Sequence, residues 1–455
     1  MSLNVKPTTA PAALAPVALG TALVLVTYVT PMATVTATAA DLGAGPAGRA
    51  WILSSMSVGL AAALLAAGVL GDTLGRRRVY LAGLGAVGVG ALVCALAQGE
   101  VLFVAGRLLQ GVGGAAVLSC GLAVLAHATT LGPERVRATS VWGASVGLGI
   151  GAGAVLAALL DQVTGWRTAY VVVVVLAAAL VVPTLGRVAS SSALVRRRPD
   201  VVGGLLLTAA LAVLVSMLTE AREGVDGLVL ALALGAVVLL GAFALVERCA
   251  PDPLVDTGLL RDPRFRSATL GSLVVGLGMI GLSAYVPAHG RLALGVSLMT
   301  ASVPVLVWAG ASVVAALLVR RIPHPLVGGG PVAVLLLVVA AGQLLTYGVD
   351  TAGELWRLSL AMAVAGAGTG VLNAILGRES VASVPADRAA MGSGANNTAR
   401  YLGAACGITI VVSVVAAGAT PAAGWDAAVL VVTGVTVLGA GVIALGSREA
   451  RRPTG

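Results

Sequence analysis

Charged and aromatic residues are scarce in this chain of 455 residues. Charged residues make up 10% of it and aromatic residues 3%, and lysine occurs once, as Lys6. A soluble globular domain has about 25% charged residues, so this composition excludes one. Hydrophobic residues make up 58%, and apolar runs of roughly 20 residues, the length of a membrane-spanning helix, recur throughout. We therefore predict an all-α, polytopic membrane protein.

Cysteine is also rare, and its spacing predicts neither a metal site nor a disulfide framework. The four cysteines lie far apart, at Cys94, Cys120, Cys249 and Cys406. The chain lacks the Gly-x-x-x-x-Gly-Lys motif of ATP-driven pumps, and its connections between apolar runs are too short for a catalytic domain. We predict no metal, no cofactor and no enzymatic activity.

The net charge of +9 comes from arginines in the connections between apolar runs. When the connections are assigned to alternate sides, 21 arginine or lysine residues fall on the side of the N-terminus and five on the other: Arg49, Arg167, Arg222, Arg291 and Arg357. Cytoplasmic loops of membrane proteins carry such an excess. We predict a multi-pass protein of the cytoplasmic membrane with both termini in the cytoplasm, and we exclude nucleic acid as a partner.

Fourteen apolar segments are predicted to cross the membrane: 13–36, 51–70, 79–98, 101–126, 139–160, 168–186, 201–219, 227–246, 267–287, 298–319, 325–346, 356–377, 391–417 and 427–446. The two longest cytoplasmic connections, 187–200 and 247–266, bracket segments seven and eight. This plan predicts an N-terminal six-helix half at 1–190, an inserted helix pair at 191–262 and a C-terminal six-helix half at 263–455. A duplicated transporter has such a plan.

The connection between segments two and three combines three glycines, one acid and three arginines: Gly68-Val-Leu-Gly71-Asp72-Thr-Leu-Gly75-Arg76-Arg77-Arg78. It resembles the signature loop of the major facilitator superfamily, except at Thr73, where a basic residue is usual. The resemblance implies a conformational latch between the two halves, made of Gly68, Gly71, Asp72, Gly75, Arg76 and Arg77. Asp72 can meet a helix N-terminus, and Arg76 can reach the other half. The alternative is that the arginines only set the topology.

Arg107 and Gln110 lie inside the fourth segment, in the stretch Arg107-Leu-Leu-Gln110-Gly-Val-Gly-Gly-Ala. An arginine within a membrane helix is costly and usually functional, and residues three apart share a helix face. The stretch is similar to the superfamily's span-four motif, whose arginine is tied to proton coupling. The alternative is an arginine near the outer boundary whose side chain reaches water.

Gly143, Gly147 and Gly151 form a stripe of small residues along the fifth segment. Such a stripe allows close helix packing. In drug antiporters of the superfamily this span carries a Gly-Pro element with a later glycine pair. The corresponding residues here, 153–158, contain neither the proline nor the pair. We therefore predict helix packing as the role of the stripe, with the antiport element as the alternative.

Polar and aromatic residues inside the apolar segments are candidates for a substrate cavity. Asn397 and Arg400 lie three apart in a stretch that looks like the entry to span thirteen of the fourteen-span drug:proton antiporters. The further candidates are Tyr28, Trp142, Tyr285, Trp308 and Asn373. Their rings can stack on a planar or amphiphilic compound. The alternatives are ordinary packing for each residue and a position at the cytoplasmic boundary for Arg400.

The membrane-embedded aspartate that is usual in span one of the fourteen-span relatives is missing. Aligned on Asp41-Leu-Gly, its position is Thr27, and no acid lies near the centre of any predicted segment. Proton-driven transport needs a group in the cavity whose protonation changes. Either an acid at a segment end, such as Asp72 or Glu379, titrates, or the coupling is weak or differently built.

We predict a transporter, similar to the fourteen-span drug:proton antiporters, that exports small amphiphilic drugs or secondary metabolites by alternating access. Its expected partners are this small molecule, protons and the lipid bilayer, and we expect a monomer. One alternative is a facilitator or symporter of the same fold without the usual proton site. Another is a membrane scaffold or sensor that transports nothing.

Overall fold

A computed structural model describes residues 10–130, 132–189, 201–221, 224–249, 259–322 and 326–449, which form a helical bundle without a strand in any of these ranges. The long helices are α1 (Ala10–Leu42), α2 (Pro46–Leu74), α3 (Arg76–Leu96), α4 (Glu100–Ala128), α5 (Pro133–Thr164), α6 (Arg167–Arg187), α7 (Val201–Glu220), α8 (Gly227–Cys249), α9 (Pro263–Leu292), α10 (Leu298–Leu318), α11 (Gly329–Leu344), α12 (Leu355–Ala382), α13 (Ala389–Ala416) and α14 (Pro421–Glu449).

Every predicted membrane segment corresponds to one of these helices. Thirteen are long and apolar enough to cross a membrane, and α11 is a shorter apolar helix of 16 residues. The predicted all-α polytopic fold is therefore confirmed. The orientation stays a prediction, and seven of the charges behind it lie outside the described residues: Lys6, Arg196, Arg197, Arg198, Arg222, Arg451 and Arg452.

The helices extend past the predicted apolar segments at their polar ends. α5 begins at Pro133, whereas hydropathy predicted a start at 139. Arg135, in the first turn of α5, donates to the carbonyl oxygens of Ala126 (2.5 Å) and Thr129 (3.0 Å) at the end of α4. Such hydrogen bonds satisfy the free carbonyl groups of a helix end, so polar residues there belong to the helices.

The middle of α9 departs from a regular α-helix. Residues Val275–Ile280 are π-helical, between the α-helical parts Pro263–Val274 and Gly281–Leu292. α9 lies very close to α13 here, because a Cβ at Gly276 would overlap the carbonyl oxygen of Arg400. Segments of this kind are frequent at functional sites.

The two largest hydrophobic cores among the described residues are formed mainly by α1–α6 and mainly by α9–α14. The predicted boundary at 190/191 lies outside the described residues. The boundary at 262/263 falls at the start of α9, where the Asp262 carboxylate accepts from the backbone N–H groups of Arg264 (2.7 Å) and Phe265 (3.4 Å). The division into two halves and an inserted pair remains our prediction, and we use it below to name the parts.

The inserted helix α7 lies along the seam between the halves, packed on α2 and α13, whereas α8 packs on α7 and is largely exposed. Near its C-terminal end α7 bonds to both halves. Glu220 accepts from the indole N–H of Trp51 in α2 (2.6 Å). The carbonyl oxygen of Leu218 accepts from the hydroxyl of Thr409 in α13 (2.8 Å).

Candidate functional site

Asp72, near the end of α2, caps the N-terminus of α13 in the other half. Its carboxylate accepts hydrogen bonds from the backbone N–H groups of Met391 (2.8 Å) and Ala390 (3.2 Å). A helix N-terminus has free N–H groups and a partial positive charge, so it attracts a carboxylate. Asp72 is 7% exposed, and the low local dielectric strengthens these bonds.

Arg76, the first residue of α3, completes this contact. Its Nη2 lies 2.8 Å from Oδ1 of Asp72 and donates to the carbonyl oxygen of Ala386, just before α13 (2.6 Å). Arg77 instead donates to the carbonyl oxygen of Val188 after α6 (3.2 Å). Of the two arginines predicted for the latch, Arg76 thus reaches the other half, whereas Arg77 binds within its own.

A steric constraint explains why each of the three positions in this loop is a glycine. A Cβ at Gly68 would overlap the carbonyl oxygen of Ala390, and one at Gly71 would overlap the thiol of Cys120. Gly75, between α2 and α3, has φ +103°, a conformation that L side chains rarely adopt. The close approach of α2 to α13 and the sharp turn into α3 therefore both depend on glycine.

The glycine stripe of α5 also lies at the contact between the halves. A Cβ at Gly143 would be 3.1 Å from the backbone nitrogen of Ala374 in α12. One at Gly147 would be 3.1 Å from the carbonyl oxygen of Ala309 in α10, and one at Gly151 would be 3.2 Å from the Cβ of the same alanine. Residues without side chains let these helices approach closely.

At the opposite end of the bundle, several polar contacts join helices of the same half. Arg167 pairs with Asp41 and stacks on Trp166, 4.3 Å from the ring centroid. In the C-terminal half, Nε2 of His289 lies 2.9 Å from the carbonyl oxygen of Val349. The halves are thus bonded directly at the Asp72 end, while the bonds of α7 described above link them towards the other end.

A cavity of about 850 Å³, counted with its open mouth, lies between the halves. Six of the seven residues predicted for a substrate cavity line it: Tyr28, Trp142, Trp308, Asn373, Asn397 and Arg400. The remaining wall is mostly aliphatic, and the lining comes from α1, α4, α5, α9, α10, α12 and α13. Such a lining suits an amphiphilic ligand.

Tyr285 does not line this cavity, although the sequence predicted it there. Its neighbours Ser283 and Ala284 do, and its ring stacks on Trp425 of α14 with the centroids 6.4 Å apart. The π-helical segment just before it widens one turn, which changes the side of α9 on which the following residues lie. A regular helical period therefore gives the wrong direction for Tyr285.

Arg107 is fully buried between α4 and α1, which contradicts a position at the water boundary. Its Nη1 donates to the carbonyl oxygen of Thr27 (2.7 Å) and to Oε1 of Gln110 (2.9 Å), and its Nη2 donates to the carbonyl oxygen of Tyr28 (3.3 Å). Thr27 is the position at which the resemblance places an aspartate. Neutral oxygen atoms therefore surround Arg107 where a carboxylate was expected.

Arg400, in α13, is 4% exposed and lines the cavity, so it does not lie at the cytoplasmic boundary. Its Nη1 donates to Oδ1 of Asn373 in α12 (2.7 Å). Its Nε and Nη2 have no acceptor among the described residues. Asn397, one turn away, donates to the carbonyl oxygen of Ser393 (3.0 Å). A buried charge with unpaired N–H groups is costly, and a bound molecule can supply the missing acceptors.

Tyr401 was not predicted as a cavity residue, yet it lines the cavity. Its ring packs edge-to-face on that of Tyr28 in the other half, with the centroids 5.8 Å apart. The available signal was its position directly after Arg400, in a chain with six tyrosines. The π-helical segment of α9 was also missed, and we find no sequence signal for it.

Comparison with known proteins agrees with this architecture. A family model described as Major Facilitator Superfamily matches residues 17–408. The solved structure of the human organic anion transporter MFSD10 (TETRAN) is similar, with a TM-score of 0.69 over 95% of this chain and 99% of that one. The two sequences are 19% identical, so the likeness concerns the fold.

Several bacterial proteins are similar in sequence. The probable actinorhodin transporter of Streptomyces coelicolor is 30% identical over 387 residues, which are 82% of this chain and 66% of that protein. The drug efflux pump JefA of Mycobacterium tuberculosis is 31% identical over 378 residues, 82% of this chain and 74% of that protein. The puromycin resistance protein pur8 of Streptomyces alboniger is 30% identical over 397 residues, 84% of this chain and 77% of that protein.

Proposed function

Because this chain belongs to the Major Facilitator Superfamily of membrane transporters, we propose that it exports small amphiphilic compounds, such as drugs or secondary metabolites. Relatives named as a drug efflux pump, a puromycin resistance protein and a probable actinorhodin transporter support this proposal. The observation that carries it is the cavity between the halves, whose aromatic and aliphatic wall contains a few polar groups.

The proposed motion is a rocking of the two halves about this cavity, which opens it to one side at a time. Asp72 and Arg76 hold the halves together at the end that the arginine distribution predicts to be cytoplasmic. Hydrogen bonds to a charged group contribute about 1.5–3 kcal/mol each, a net value that already includes the bonds to water that replace them on opening. The contact can therefore break and reform in each cycle. We propose that the transporter acts as a monomer, with both termini in the cytoplasm.

Two transport mechanisms are candidates, one coupled to protons and one not. The first is proton antiport, as in the subfamily that the chain resembles, with a carboxylate outside the cavity wall as the titrating group. Asp72 and Glu379 are candidates, and Glu379 pairs with Arg378 at 3.1 Å. The second candidate is a facilitator without proton coupling. It is favoured by one observation, namely that no carboxylate occurs among the described residues that line the cavity.

Proteoliposomes with an imposed pH gradient separate these cases. The full chain is reconstituted, and the flux of labelled amphiphiles of different charge is followed with and without the gradient. Flux that depends on the gradient supports antiport, and flux indifferent to pH supports the facilitator. An absence of flux across the whole panel contradicts export and favours a scaffold or sensor.

Asp72→Asn tests the latch in the same assay. Asparagine keeps the size of the side chain but removes the charge that meets Arg76 and the N-terminus of α13. We expect about tenfold slower flux, equivalent to about 1.4 kcal/mol, with unchanged substrate binding. Arg77→Gln is the matched control and should keep wild-type flux, because Arg77 bonds to its own half. Unchanged flux in Asp72→Asn contradicts the latch.

A further inference from the structure

We propose that the central cavity selects aromatic compounds that carry an anionic group, and that the guanidinium of Arg400 binds this group. The inference rests on the proposed function, since it names the class of compound that the same cavity takes. Three features of the cavity wall support the inference: its charge, its unpaired N–H groups and its aromatic rings.

The charge of the cavity wall is positive. Arg400 is the one ionic side chain among the described residues that line the cavity, and its bonded partner, Oδ1 of Asn373, is neutral. In a medium of low dielectric constant an unpaired charge interacts far more strongly with an opposite charge than it does in water. An anionic ligand supplies the counter-ion, whereas a cationic ligand meets repulsion.

Several N–H groups on side chains that line the cavity are buried and without acceptors. Nε and Nη2 of Arg400 and the indole Nε1 atoms of Trp142 and Trp308 have none among the described residues. A planar carboxylate matches the two-pronged arrangement of N–H groups on a guanidinium. An indole N–H donates only, so carbonyl or hydroxyl oxygens of the ligand suit the two tryptophans.

The rings around this charge indicate an aromatic body for the ligand. Tyr28 and Tyr401 contact each other from opposite halves, with the ring centroids 5.8 Å apart, and Trp142 and Trp308 complete the aromatic part of the wall. Aromatic faces favour offset or edge-to-face contacts with other rings.

Arg107 adds positive charge behind the same wall. Its Nη2 donates to the carbonyl oxygen of Tyr28 (3.3 Å). Tyr28 lines the cavity. Its described hydrogen bonds are all to neutral oxygen atoms. Two buried cations beside one cavity therefore produce a positive potential there, which favours an anion.

Three matched naphthalene probes test the charge preference. 2-Naphthoate is an anion, 2-naphthamide is neutral and 2-naphthylmethylammonium is a cation, all on the same ring system. Binding to the purified full chain is measured by isothermal titration calorimetry in phosphatidylcholine nanodiscs, with empty nanodiscs subtracted. We expect 2-naphthoate to bind at least about tenfold more tightly than 2-naphthamide, a difference of about 1.4 kcal/mol. The cation should bind most weakly.

Two variants locate this preference at Arg400. Arg400→Gln removes the charge. Asn373→Asp keeps the arginine but places a carboxylate where the neutral acceptor now lies, 2.7 Å from Nη1. Each should reduce the advantage of 2-naphthoate to about twofold or less. Arg400→Lys should retain part of it. Gln343→Glu, which adds an acid to α11 away from the cavity lining, is the charge control and should keep the advantage.

The proposal is overturned if the cation binds the wild-type protein as tightly as 2-naphthoate, or if none of the probes binds. It is also overturned if the preference survives in a folded Arg400→Gln or Asn373→Asp protein. The two variants alter different helices, so either one decides if the other does not fold. Flux in proteoliposomes without any anion preference overturns this inference and leaves the proposed export intact. Anion-selective binding of 2-naphthoate without any flux overturns the proposed export and leaves this inference intact.

Discussion

Arg107 and Arg400 are both buried in membrane helices, one in each half, but their surroundings differ. Arg107 donates to three acceptors at 2.7–3.3 Å, and only its Nε has none. Arg400 donates to a single acceptor, Asn373, and both its Nε and Nη2 have none among the described residues. Arg400 lines the central cavity, and Arg107 lies behind its wall.

This difference indicates which of the two charges has a structural role. A buried charge with most of its donors paired holds its partners in place, and the bonds of Arg107 to Thr27 and Tyr28 join α4 to α1. A buried charge with unpaired donors destabilises the fold and is usually kept for binding or transport. The burial of the two side chains is similar, at 0% and 4% exposed. The number of acceptors, and not burial, therefore separates the two roles.

The largest expected effect concerns stability. Arg107→Met should lower the free energy of unfolding by about 3 kcal/mol, because it removes three charge-assisted hydrogen bonds. Arg400→Met should leave stability equal or raise it, because an incompletely paired buried charge is replaced by an apolar side chain of similar length. Thermal unfolding in detergent, followed by tryptophan fluorescence, measures both. Equal losses in the two variants would remove the distinction.

A smaller effect is expected from giving Arg107 the carboxylate that it lacks. Thr27→Asp places an acid at the residue whose carbonyl oxygen Arg107 already contacts. Its protonation then changes the charge beside the cavity, so we expect flux to respond to an imposed pH gradient by about tenfold, or about 1.4 kcal/mol. Thr27→Asn is the control, since it cannot ionise. A similar pH response in both variants would show that titration of the introduced carboxylate is not its cause.

The smallest expected effect concerns the unpaired indole groups. Trp142→Phe and Trp308→Phe keep a ring but remove one donor each, so the affinity for 2-naphthoate should fall about threefold in either variant, within the range of a neutral hydrogen bond. Trp425→Phe is the matched control, because its indole N–H already donates to the carbonyl oxygen of Thr346 (3.0 Å), outside the cavity lining. Calorimetry with the same probe compares the three. A loss confined to Trp425→Phe would refute this view of the cavity wall.

Hydropathy and short motifs were sufficient to predict the helices and most of the cavity residues. Each membrane segment must be predominantly apolar, so its position can be read from composition. Polar and aromatic residues within such segments stand out, which is why Trp142, Trp308 and Arg400 were found. Their meeting in one cavity is expected from the predicted division into two six-helix halves.

The directions of side chains and their hydrogen-bond partners in other helices could not be predicted in the same way. The direction of Tyr285 depends on the π-helical turn before it, which breaks the helical period. For Asp72 the sequence predicted a helix N-terminus as a partner but not which helix. The donors are backbone N–H groups of Ala390 and Met391, more than 300 residues away, and backbone groups leave no mark on the sequence. The unpaired N–H groups of Arg400 likewise depend on which side chains of other helices reach it.

The unpaired charge of Arg400 has an electrical consequence. If Arg400 binds an anion as proposed, the wall of the empty cavity carries the positive charge of Arg400, and the bound anion neutralises it. In a cell with a negative interior, the membrane potential would then draw the empty transporter back to its inward-facing state, and each cycle of the proposed export would move one negative charge outward. One charge moved across 100 mV is worth about 2.3 kcal/mol. We therefore expect that voltage alone drives export of anions in vesicles without a pH gradient, with no carboxylate in the cavity.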